Sequence, residues 1–224
     1  MLPLDRLFRP SIRLLGAIVA VLIAVPTLAS ATIVNTTATS FLGESMTATL
    51  TIDDESQVGD IVITLSLDAG LMTGDLRGFY AHIADESLLA GLSTSGTNIS
   101  DSSFVADSVN NFGWGTYITT GSSGCGFEGC DFGVEIGTHG IKNDNIQSVT
   151  FVLSHSTLDL TADLFADQIF ALRVSNVGTP DGDRSSFSKL SGKVVVPEPS
   201  TAIMMLLGLT GLTLAGRAPK SQSA

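Results

Sequence analysis

Period-two alternation runs through the middle of this chain and constrains its fold more than any other feature. Thr47 to Ile52 (TATLTI) alternates threonine with apolar residues, and in DIVITLSLD the residues Ile61, Ile63, Leu65 and Leu67 share one side. Phe79, Ala81 and Ile83 alternate with Tyr80 and His82. Phe132, Val134 and Ile136 repeat the pattern, as do Val149, Phe151 and Leu153, and then Phe170, Leu172 and Val174. Successive side chains of a strand point to opposite faces, so short runs of this kind predict strands with one buried face. Val194 to Val196 is read as a last strand that closes the sheet.

Turn-forming residues separate the runs: Asp68-Ala69-Gly70, Thr73-Gly74-Asp75, Lys142 to Asn145 and Thr179 to Gly182. Helical heptads and solenoid-length repeats are absent from the sequence. Thr161 to Asp167 reads as a short capped helix with Thr161 as N-cap and Asp163 near the positive end, and a second helical turn is expected around Glu86 to Ala90. Residues 91–131, rich in Gly, Ser, Thr and Asn, are expected to form long loops and edge strands. The fold class expected is mostly β: an antiparallel β-sandwich or jelly-roll-like domain over 32–193 with one or two short helices. An N-terminal signal helix and a C-terminal membrane helix are expected to flank it.

The two ends differ in kind from this middle. Arg6, Arg9 and Arg13 precede an apolar run from Leu14 to Val25, and Ala29-Ser30-Ala31 follows Pro26. This is the order of a secretory signal peptide over 1–31, with Ala29 and Ala31 at the positions signal peptidase reads and cleavage predicted after Ala31. An uncleaved N-terminal anchor is the alternative. The chain holds 11 basic and 22 acidic residues. With the ends set aside, 32–197 keeps six basic and twenty acidic residues, a charge of about −14. A field of that sign excludes nucleic acid as an expected partner.

Residues 194–224 form the tail. Pro197 and Pro199 bracket Glu198, and neither proline can donate to a helix or ladder, so Val196 to Pro199 should be stiff and extended. Such a strip suits the groove of a protease or transpeptidase. From Thr201 to Gly216 no charge occurs, and Arg217 and Lys220 follow. At ~1.5 Å per residue a helix over 201–216 spans roughly 24 Å, short of the ~30 Å hydrocarbon core. The cations place the last residues in the cytoplasm. This order, worded VPEPST at its start, resembles the PEP-CTERM sorting signal of bacterial envelope proteins. The resemblance implies an exosortase-like membrane protease or transpeptidase as partner, with Pro197, Glu198, Pro199 and Arg217 as the signal residues. It also implies association with exopolysaccharide. The usual cluster of basic residues is reduced here to Arg217 and Lys220. RGFYAHIADESLLAGL (77–92) and the stretch from Phe132 to Ser154 are similar to cargo domains of such proteins, with no activity to carry over.

Within the cargo, Cys125 and Cys130 are the only cysteines, and in an exported chain they are expected to form a structural disulfide. His82, His139 and His155 are isolated in sequence, without zinc spacing. Of the acidic clusters, Asp53-Asp54-Glu55 and Asp181-Gly182-Asp183 stand out; Asp181 and Asp183 are weak calcium candidates, against the commoner reading as solvated turn carboxylates. Phe112, Trp114 and Tyr117, beside Asn110 and Asn111, are either a sugar-stacking platform or core rings. The G-x-S-x-G elbow and the phosphate-loop pattern are both absent. The expected function is therefore a non-enzymatic exported envelope or matrix protein without cofactor. A secreted carbohydrate-binding or calcium-dependent adhesive module is the alternative.

Overall fold

Every alternating run falls wholly or mostly in a strand, and more polar segments before, between and after them supply four further strands. The computed structural model describes residues 32–113, 116–118, 125, 129–139 and 144–196. The signal residues Ala29 and Ala31, the sorting residues Pro197, Glu198, Pro199 and Arg217, the 201–216 segment and Trp114 lie outside the described residues. The strands are β1 (Ile33–Gly43), β2 (Thr47–Asp53), β3 (Ile61–Leu67), β4 (Thr73–Ala81), β5 (Leu92–Ser95) and β6 (Ile99–Val109). They continue with β7 (Cys130–Ile136), β8 (Ser148–His155), β9 (Ile169–Gly178) and β10 (Ser186–Lys193). Two short 3₁₀ helices, η1 (Glu86–Gly91) and η2 (Ala162–Phe165), fall where helical turns were expected.

All pairings are antiparallel, and they join into one ten-stranded sheet in the order β5-β8-β3-β2-β1-β10-β9-β4-β7-β6. Two separate sheets, as in a sandwich, were expected; a single sheet that curls nearly into a barrel is found. Strand β1 is the reason. It pairs with β2 along Ile33 to Thr39 and with β10 along Thr39 to Gly43, with a register shift between Ser40 and Leu42. A bulge of this kind bends and twists its strand, so β1 carries the sheet around a corner instead of ending it. Strands β5 and β6 occupy opposite ends of the order yet are separated only by residues 96–98. A link that short reaches on the order of 13 Å when extended, so the two edges must approach each other.

The space enclosed is filled by the inward-facing residues. Phe79 of β4 sits at its centre, with ring centroids 5.5 Å from Phe132, 5.8 Å from Phe151 and 6.3 Å from Phe170. Strands β4 and β8 belong to opposite halves of the sheet, so this cluster is what the curl buries. Rings at these separations add ~0.5–1.5 kcal/mol per pair beyond their area.

Three local expectations change. Thr73-Gly74-Asp75 opens β4 and is not a turn. Val194 to Val196 is not a strand: Val194 is buried and exchanges backbone bonds with Gln168 and Asp167, while β10 completes the sheet. Thr161 is the N-cap of η2 but gives no side-chain bond; the Asp54 carboxylate accepts the Ala162 N–H at 2.7 Å in its place. Because Asp54 also accepts the Thr32 N–H, one carboxylate ties the start of the domain to η2.

Candidate functional site

Strands β4 and β7 are buried along nearly their whole length on both faces, unlike the half-exposed β2 and β8. Their inner faces join the phenylalanine core. Their outer faces are covered by described parts of the segment between β6 and β7, and together they form a second cluster of Tyr80, Val109, Ile118, Cys125, Cys130 and Ala171. The register sets small residues opposite large ones: Gly78 faces Glu135, and Gly133 faces Tyr80. A Cβ on Gly133 would lie 2.8 Å from Tyr80 Cδ1 and 3.0 Å from Phe112 Cε2; on Gly78 it would lie 2.9 Å from Tyr80 Cε2. The tyrosine ring therefore lies across two glycines, and its hydroxyl donates to the Thr116 carbonyl at 2.7 Å. Burial pushes the Tyr80 phenol well above the usual tyrosine range.

The covering segment is held by its own polar groups as well. Thr116 Oγ1 accepts the Phe112 N–H at 2.9 Å and Asn111 Oδ1 accepts the Gly113 N–H at 2.8 Å. Phe112 packs on Tyr80 with centroids 5.9 Å apart. Cys125 and Cys130 are bonded to each other, which pins this segment to the start of β7. The expected disulfide is thus present in the structure.

Beside the disulfide lies a cluster no linear motif announces. Asp131 is buried at 1 % exposure. Its Oδ2 accepts the Ile83 N–H at 2.9 Å and Oδ1 accepts the Asp107 N–H at 3.0 Å. His82 Nδ1 stands 3.2 Å from Asp131 Oδ2 and 3.8 Å from Asp107 Oδ1, and Nε2 faces the Cys125 carbonyl at 3.3 Å. Asp107 holds φ at +52°, in the left-handed region, where β6 and β7 shift register. Among the described residues, the groups of three His, Cys or acidic side chains with ligand atoms within 4.8 Å of one another both contain His82: with Asp107 and Asp131, or with Cys125 and Cys130.

A second polar group lies farther along β7. Glu135 is fully buried; its Oε2 accepts from Ser100 Oγ at 3.0 Å and meets His139 Nδ1 at 2.8 Å. On the neighbouring strands, Lys189 and Arg173 face each other in register, with Lys189 Nζ 5.1 Å from the Tyr117 ring and Arg173 over Phe187. Burial, with repulsion from Arg173, pushes the Lys189 ammonium down to about 8. In the first half of β4, Asp75 accepts the Asp144 and Ile146 N–H groups, and Arg77 bonds Asp144 at 2.8 Å and the Thr138 carbonyl. The Thr138 N–H, with Thr138 Oγ1 and Arg77, holds the Asp144 carboxyl below its usual range.

The remaining sequence candidates are placed apart from this face. Asp53 accepts from Glu55 and Ser56 in the β2–β3 turn, and Asp54 is the clamp described above. Asp181 and Asp183 sit exposed in the β9–β10 connection, where Asp183 Oδ2 accepts from Ser185 Oγ at 3.1 Å. They join no three-ligand group among the described residues. His155 Nδ1 accepts from the Thr157 and Leu158 N–H groups and shapes a turn. Of the proposed aromatic platform, Phe112 is a packing ring and Tyr117 is 46 % exposed. Residue type alone did not single out Asp131, Asp107 or Glu135; the one available hint was an acid placed within an otherwise apolar alternation.

The domain leaves its sheet at Lys193, and Val195 beyond it is 66 % exposed. Among the described residues no helix is long and apolar enough to cross a membrane. A comparison with curated proteins and with solved structures finds no match to the chain. A family model does match: the PEP-CTERM protein-sorting motif, over residues 195–220. The matched segment starts where the domain ends, and the motif indicates export, sorting at a membrane and handling by an exosortase-type enzyme. The chain is a protein that carries a PEP-CTERM sorting motif behind a single curled β-sheet domain.

Proposed function

We propose that this is a non-enzymatic component of the cell envelope or of an extracellular polysaccharide matrix, held briefly at the membrane by its tail and released when that tail is cut. The observation that carries this reading is the sorting-motif match over 195–220, immediately after the last strand. Two further features support it. A disulfide in the domain suits an oxidising compartment outside the cytoplasm. The Tyr80 hydroxyl, both Asp131 oxygens and Glu135 Oε2 are engaged with backbone or neighbouring side chains that hold the covering segment and the loops in place. Fractionation of a host with and without its exosortase tests the reading. The protein should leave the inner membrane only when the enzyme is present; the same distribution in both hosts would refute it.

Tyr117, 46 % exposed beside Asn110 and Asn111, favours one second reading, a carbohydrate-binding or calcium-dependent adhesive module. A glycan array probed with and without calcium separates the two. Saturable binding abolished by Tyr117→Ala would establish the adhesive module, and an array without binding would leave the matrix component.

A further inference from the structure

We propose that His82 Nδ1, Asp107 Oδ1 and Asp131 Oδ2 form a binding site for one divalent transition-metal ion of the zinc class. The argument begins with the other ring nitrogen. Nε2 of His82 faces the Cys125 carbonyl at 3.3 Å, and a carbonyl can only accept, so Nε2 carries the hydrogen. In the neutral ring this turns the Nδ1 lone pair toward two carboxylates, Asp131 Oδ2 at 3.2 Å and Asp107 Oδ1 at 3.8 Å. Three electron-rich atoms that converge in this way need an electropositive centre among them, either a proton on Nδ1 or a metal ion.

The geometry fits the ion. Zinc held tetrahedrally at ~2.0–2.1 Å from each ligand puts the ligands roughly 3.3–3.5 Å from one another. The two measured separations bracket that value, and all three ligand atoms lie within 4.8 Å. The site also has the outer bonds that such sites use. A metal-binding imidazole usually donates its second N–H to a carbonyl or carboxylate, as His82 does to Cys125. The Asp131 carboxylate is fixed by the Ile83 and Asp107 N–H groups. The three ligands come from the end of β4, from β6 and from β7, and the Cys125–Cys130 bond holds the covering segment against them. With the cysteines oxidised, the donor set is one imidazole and two carboxylates, with water to complete it. Imidazole selects transition metals over calcium.

The full chain, purified in detergent with the disulfide intact and stripped of metal, is titrated with Co²⁺ as an absorbing reporter and then with Zn²⁺ alone. One saturable equivalent of Co²⁺ is expected, displaced by Zn²⁺ and unaffected by millimolar Ca²⁺. Asp107→Asn should weaken Zn²⁺ binding at least tenfold with little change in the apo-protein melting temperature, because asparagine tolerates the left-handed backbone of this exposed position. His82→Gln should weaken Zn²⁺ binding by a similar factor. The pair Asp181→Asn and Asp183→Asn should change nothing, which separates the site from general attraction to an acidic surface. Absence of a saturable equivalent, or binding that both Asp107→Asn and His82→Gln leave unchanged, would overturn the proposal.

Discussion

The inner and outer faces of β4 and β7 are built from the same two strands by different means. On the inner face Phe79, Phe132 and their neighbours exclude water and carry no polar atom. On the outer face Tyr80, Asp131 and Glu135 are buried as deeply, with the half-buried His82 beside them, and each requires a named partner. An apolar face tolerates exchange of residues at similar volume. A buried polar face is specified atom by atom, since a lost partner leaves a donor or acceptor stranded. Chemistry beyond packing is therefore to be sought on the outer face.

Substitutions on the two faces can break that contrast. Phe79→Ala should have the largest effect, with a cavity at the junction of the two halves costing about 3–5 kcal/mol in denaturant unfolding. Asp131→Ala should cost roughly 2–4 kcal/mol, because two backbone N–H groups and His82 lose their acceptor at once. A cost below ~0.5 kcal/mol there would mean that the outer face is not a fixed network. Gly133→Ala drives a methyl into the Tyr80 ring and should cost about 1–3 kcal/mol. Hydrogen exchange at Phe112 and Ile118 should rise with it, as the covering segment loosens. Tyr80→Phe removes only the bond to Thr116 and should cost about 1 kcal/mol.

The smallest effect is the pH dependence at Lys189. Its folded value, about 8, lies below the ordinary lysine value of 10.5, so the unfolded chain holds this proton more tightly. Stability should therefore rise as pH increases from about 8. Tyr80, raised above its ordinary 10.0, acts in the opposite sense: above pH 10 the unfolded chain ionises first and stability falls. A shallow maximum near pH 10 is expected in melting temperature, and Lys189→Met should flatten the rise that precedes it.

The same contrast explains what could be read from the residues alone. Strands β2, β3, β8 and β9 were legible because one face is apolar and the other is not. For β4 and β7 the alternation was legible but not the second burial, since the cover is a Gly-, Ser- and Asn-rich segment without hydrophobic periodicity. Strands β1 and β10 went unread. IVNTTATSFLG buries only Val34 and Ala38, and SFSKLSGK buries Ser188 and Lys189 beside Leu190. Their sheet positions come from neighbours far along the chain. The His82–Asp131 contact spans 49 residues and the His82–Asp107 contact joins yet another strand, so no local spacing could reveal the cluster. The sorting tail was legible because its motif is one contiguous run of residues, complete within the sequence itself.

Intact-mass spectrometry of the protein from hosts with and without exosortase tests the central claim most directly. The account predicts a full tail in the host that lacks the enzyme. In the host that has it, the residues after the Pro197-Glu198-Pro199 segment should be lost while the domain through Val196 stays intact. The same C-terminus in both hosts, with residues 202–224 retained, would contradict it.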